Sequence, residues 1–87
     1  MANITIYTKA YCPYCVKAKE LLKRKGYADF KEINIENNDA LREEMLSKSN
    51  GMKTVPQIFI NGTHVGGCDN LYELDNKGKL DALLKSA

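Results

Sequence analysis

Cys12 and Cys15, separated only by Pro13 and Tyr14, are the residues of this chain best suited to chemistry. Thiols three positions apart on a helix share a face and can exchange electrons as a dithiol/disulfide pair. The attacking species is the thiolate, and a free cysteine with a pKa of about 8.5 is only slightly ionised at neutral pH. Cys12 directly precedes a helix predicted to begin at Pro13. Unpaired backbone N–H groups and the positive end of the helix dipole favour an anion there by about 0.3–2 kcal/mol. Lys9, in the connecting loop, adds a candidate positive charge. Cys15 lies one turn into the helix, nearer its apolar face, and gains less. The expectation is therefore a nucleophilic Cys12 and a resolving Cys15, with Tyr14 offering a ring and a hydroxyl to whatever approaches.

A metal site competes for the same residues. Cys12, Cys15, Cys68 and His64 would make a Cys₃His zinc set if folding brought all four together. Structural zinc serves chains that cannot bury a core, whereas this one has alternating apolar strands enough for one. Cys68 also fits as a small buried hydrophobe, and His64 as the polar face of a hairpin. No bound metal is expected.

The elements that must position the cysteines follow from periodicity. Ile4 to Tyr7 alternates and is β-branched and aromatic, predicting a strand; Pro13 to Lys25 carries the apolar stripe Cys15, Ala18, Leu21 and Leu22 and stops at Gly26. Phe30 to Ile35 predicts a second strand, parallel to the first because a helix intervenes. Ala40 to Ser49 predicts a helix, capped from Asn37, Asn38 or Asp39, with Glu44 placed to pair with Lys48. Gln57 to Ile60 and Thr63 to Val65 flank Asn61-Gly62 and predict a hairpin. After Gly66-Gly67, Asp69 is a candidate N-cap for a helix to Asn76, and Leu80, Leu83 and Leu84 share one face of a last short segment. The order β-α-β-α-β-β-α predicts an α/β fold with one four-stranded mixed sheet covered by helices.

Composition narrows the function classes. The 87 residues suit a single domain spanning 1–87, and 44% hydrophobic residues supply its core. Thirteen basic against eleven acidic residues, net +2, argue against nucleic acid as a partner by bulk charge. The cluster Lys17, Lys19, Lys23, Arg24 and Lys25 reads as a solvated helix end. No run approaches a membrane span and no leader pattern opens the chain, while three cysteines are too few for a bridged secreted scaffold. A cytoplasmic protein without membrane attachment is expected.

Three blocks in order, Cys12-Pro13-Tyr14-Cys15, Thr54-Val55-Pro56 before a strand and Gly66-Gly67-Cys68-Asp69 before a helix, resemble the short dithiol glutaredoxins of bacteria. The resemblance implies a thioredoxin-like fold with a cis peptide bond before Pro56. It also implies an enzyme, a glutathione-dependent disulfide oxidoreductase acting on protein disulfides and glutathione mixed disulfides. Glutathione would serve as reductant, with no permanently bound cofactor, and the chain would work as a monomer. Its ligand contacts would be Tyr14, Thr54, Val55, Pro56, Gly67, Cys68 and Asp69, with Lys9 and Lys53 as candidates for the glycyl carboxylate. Free backbone groups of Val55 beside Pro56 suit pairing with an extended peptide, and amides from Cys68 to Asn70 suit a carboxylate. Two alternatives stay open at this point. An iron–sulfur module would use Cys12 with glutathione, although relatives of that kind typically carry Cys-Gly-Phe-Ser; a redoxin of the same fold would take electrons from thioredoxin reductase.

Overall fold

The structure, a computed structural model, describes residues 2–86. Strand β1 (Ile4–Thr8) leads into helix α1 (Pro13–Arg24), then β2 (Lys31–Asn34) and α2 (Asp39–Lys48). The hairpin β3 (Gln57–Ile60) and β4 (Thr63–Gly66) follows, and the described chain closes with α3 (Cys68–Asn76) and α4 (Leu80–Leu84). One four-stranded sheet has the order β2-β1-β3-β4. β1 runs parallel to β2 and antiparallel to β3, so the βαβ unit and the hairpin join through the two central strands.

The local signals act as expected. Pro13 occupies the first turn of α1, and Gly26 ends it with φ +87°. Asn38 caps α2 by accepting from the Leu41 N–H at 3.0 Å. Asn61 and Gly62 take φ 51° and 83°, the paired positive values of a tight hairpin turn. The second strand is shorter than its sequence pattern: Phe30 and Ile35 fall outside β2, yet Ile35 is buried at 3% exposure. Ile35 still donates its N–H to the Thr8 carbonyl at 2.9 Å, and burial of its side chain against Tyr7 and Met45 accounts for its apolar character.

Alternation sorts side chains to two faces. Ile4, Ile6, Ile58 and Ile60 point to one side of the sheet and pack with Ala18, Leu21 and Leu22 of α1, Leu71 of α3, and Leu80 and Leu84 of α4. The opposite face holds a smaller cluster of Tyr7, Ile35 and Met45 under α2. The basic stretch of α1 is engaged at the surface: Lys19 pairs with Glu32 at 3.0 Å, and Lys25 with Asp75 at 2.6 Å and Asp81 at 3.3 Å. Among the described residues no helix is long and apolar enough to cross a membrane.

Candidate active site

Cys12 is the N-cap of α1. Its backbone is extended, and its Sγ accepts from the Cys15 N–H at 3.2 Å, one of the amides that the first turn leaves without a helical partner. The same sulfur faces the Val55 carbonyl at 3.9 Å, so the start of α1 meets the loop before β3 at this atom. The Val55–Pro56 bond is cis. All three cysteines are free; Cys12 is partly exposed, while Cys15 and Cys68 are buried.

Burial pushes the Cys15 thiol up to about 12, helped by its hydrogen bond with the Cys12 side chain; a Lys9 backbone hydrogen bond and the Lys19 ammonium pull weakly the other way. Burial also raises the Cys68 thiol, with the Asp69 carboxylate adding to the effect and Lys17 opposing it. A hydrogen-bonded, solvent-reachable sulfur beside a shielded one is an asymmetry suited to a nucleophile and its resolving partner.

Beside Cys12 opens a groove of about 290 Å³ lined by Tyr14, Met52, Thr54, Val55, Pro56, Gln57, Gly67, Cys68, Asp69 and Asn70. Seven residues expected from sequence meet there: Tyr14, Thr54, Val55, Pro56, Gly67, Cys68 and Asp69. Lys9 and Lys53 do not. Both are exposed, and Lys9 borders a separate depression with Glu36, Asn38 and Arg42.

Gly66 is required by contact as well as by conformation, whereas Gly67 leaves room for ordinary contact. Gly66 has φ +114°, and a β-carbon there would stand 2.6 Å from Asn70 Oδ1; one at Gly67 would sit 3.5 Å from the Pro56 carbonyl. The N-cap of α3 corrects the sequence expectation. Gly67, not Asp69, precedes the helix, and Asn70 Oδ1 accepts from the Gly67 N–H at 3.0 Å. Asp69 lies inside the first turn, where its carboxylate still suits the positive helix end. Gly67 has no side chain to cap the first turn, and Asn70 three residues later satisfies the Gly67 N–H instead, the back-bonding half of a capping box.

His64 does not join the cysteines. Its ring stacks on Phe59 at 4.8 Å and its Nε2 meets Gln57 Oε1 at 2.7 Å. Among the described residues no group of three His, Cys, Asp or Glu side chains could hold a metal ion. Sequence reasoning missed Met52 and Gln57 as groove residues, and it named Asn70 through its backbone amide alone. Gln57 was detectable: it is polar at a position whose strand neighbours on the same face are apolar.

Comparison with known proteins agrees with this geometry. The family model described as Glutaredoxin matches residues 4–65. The chain is 59% identical over 85 residues to Glutaredoxin 3 of Escherichia coli, covering 98% of this chain and 100% of that protein. The solution structure of a glutaredoxin from Brucella melitensis superposes with a TM-score of 0.84 at 53% identity, covering 99% of this chain and 91% of that one. A buckwheat glutaredoxin–glutathione complex gives 0.84 at 35% identity, covering 95% and 76%. On these matches the chain belongs to the glutaredoxin family, the glutathione-dependent thiol–disulfide oxidoreductases.

Proposed function

We propose that this glutaredoxin works through Cys12 as nucleophile and Cys15 as resolving thiol, with glutathione seated in the groove beside them. The observation that carries this reading is the Cys12 sulfur itself, which receives the Cys15 N–H and faces the backbone of Val55. With a glutathione mixed disulfide, the Cys12 thiolate attacks the glutathione sulfur and the substrate thiolate departs. A second glutathione thiolate then attacks the bound glutathione sulfur, forming oxidised glutathione and restoring Cys12. With a protein disulfide, Cys12 forms a mixed disulfide, Cys15 loses its proton and attacks the Cys12 sulfur, and the substrate leaves as a dithiol. Two glutathione molecules reduce the resulting Cys12–Cys15 bond.

For the ligand, the reading uses Val55 for strand-like pairing, Thr54 and Pro56 as its flanks, and Tyr14 as a wall. The γ-glutamyl end lies against Gly67, Cys68 and Asp69 at the positive end of α3. Lys9 and Lys53, exposed in the loops before α1 and β3 and outside the groove lining, would have to reach in to serve the glycyl carboxylate. The protein partners are disulfide-containing or glutathionylated proteins, met by a monomeric, one-domain cytoplasmic protein without a resident cofactor.

The test couples turnover to glutathione and glutathione reductase, with thioredoxin reductase as the rival donor. Cys12→Ser should abolish turnover of both substrate classes, while Cys15→Ser should keep activity on glutathione mixed disulfides and lose it on protein disulfides. Equal loss in the two variants, or reduction only by thioredoxin reductase, would overturn the reading.

A further inference from the structure

Gln57 is a polar residue with 0% exposure at the first position of β3, immediately after Pro56. Its Nε2 lies 2.9 Å from the Thr54 carbonyl oxygen and 3.3 Å from Thr54 Oγ1. A carbonyl only accepts, so the amide nitrogen must face Thr54 and the amide oxygen must face away. That oxygen is 2.7 Å from His64 Nε2, which must therefore carry a proton to donate. His64 is held in turn by its stacking on Phe59, its register partner across the hairpin. Because Phe59 pairs with His64, Gln57 two residues earlier lies on the same face as a diagonal neighbour of His64.

We propose that Gln57 and His64 are positioning residues of the glutathione groove. His64 fixes which way the Gln57 amide points, and the amide clamps Thr54 across the Val55–Pro56 turn, holding the Val55 backbone extended before any ligand arrives. The inference rests on the function proposed above and assigns its preorganisation to a side-chain relay from β4. Without the clamp, ordering of the Thr54-Val55 segment is charged to ligand binding. The Cys12 contact with the Cys15 N–H involves neither residue, and the 3.9 Å contact with the Val55 carbonyl in the clamped segment is one the attacking thiolate, having no proton to donate, does not make. Loss of the relay should thus weaken substrate capture and leave the chemical step at saturation intact.

Steady-state kinetics with the cysteine–glutathione mixed disulfide, glutathione and glutathione reductase test this in the full chain. Gln57→Leu should raise KM roughly three- to tenfold, the equivalent of about one net hydrogen bond, with kcat held within about twofold. His64→Ala should shift KM the same way by less, the double variant should be no worse than Gln57→Leu, and His64→Gln, whose amide can still donate, should restore KM. An unchanged KM in a folded Gln57→Leu variant overturns the proposal, as does a fall in kcat that tracks lost thermal stability. Should Gln57→Leu fail to fold, the His64→Ala and His64→Gln pair decides, since His64 is only partly buried. Absence of turnover by the unaltered chain would instead remove the proposed function.

Discussion

Burial keeps the Cys15 sulfur protonated across the physiological range, with its pKa pushed up to about 12. Its folded-state pKa lies above that of the unfolded chain, so the stability this thiol contributes is fully present below about 8.5. It is lost as pH rises toward the folded value of about 12, because the unfolded chain releases its proton first. Tyr7, raised to about 12 by burial and by its 2.7 Å hydrogen bond to Glu44, acts in the same direction from about 10 upward. The urea midpoint should therefore fall between pH 8.5 and 10 in the unaltered chain, and fall less in Cys15→Ser, which retains Tyr7. Matching pH slopes in the two proteins would contradict this. Iodoacetamide at pH 7 should label Cys12 and spare Cys15 and Cys68 in the native state, as read by peptide mass mapping; equal labelling of Cys12 and Cys15 would remove the asymmetry on which the mechanism depends.

The turn between β4 and α3 shows how one element boundary serves the site. Gly66→Ala would add a β-carbon 2.6 Å from Asn70 Oδ1 at a residue with φ +114°, displacing the side chain that caps Gly67. Conformational strain and cap loss together should lower unfolding free energy by about 2–3 kcal/mol. Gly26→Ala, at φ +87° with nothing within 4 Å of its β-carbon, should cost about 1 kcal/mol by strain alone. Chemical denaturation of the two variants measures the difference, and equal losses would show that the Asn70 contact carries no energy. This boundary also marks what the sequence made legible. Pro13, Gly26 and Asn61-Gly62 act within a few residues of themselves, so their roles could be read directly. Asn70 bonding back to Gly67 depends on the helix starting two residues earlier than the Asp69 signal suggests. Gln57 facing His64 follows from the pairing of Phe59 with His64 across the hairpin, which sets Gln57 and His64 on one face as diagonal neighbours, a contact between strands that single-strand periodicity does not record. Sheet order likewise follows from how β1 and β3 bury their isoleucines together, a pairing between segments fifty residues apart.

Across the whole molecule the sheet divides two unequal cores. Ile4, Ile6, Ala18, Leu21, Leu22, Leu71, Leu80 and Leu84 fill the side under α1, α3 and α4, whereas α2 buries only Met45 against Tyr7 and Ile35. Leu22→Ala removes a side chain with 0% exposure from the large core and should cost about 2–5 kcal/mol. Against a total of about 5–15 kcal/mol for a domain, that is a large share. The thin face predicts a different behaviour for α2: with so little apolar area to release, its amides should exchange through local opening below the global free energy. Ser49 couples that opening to the groove, because its hydroxyl donates to Met45 O at 2.6 Å at the end of α2 and reaches Met52 O, on the groove wall, at 3.3 Å. Cys12 caps α1, whose Ala18, Leu21 and Leu22 anchor it in the large core, so the nucleophile should stay fixed while one wall of the groove loosens. Native-state hydrogen exchange should therefore rank α2 below α1, β1 and β3, and Met45→Ala should speed exchange in α2 more than in β1. Amides of α2 that exchange only with global unfolding would show instead that the two cores act as one cooperative unit, and that Met52 is as rigidly held as Cys12.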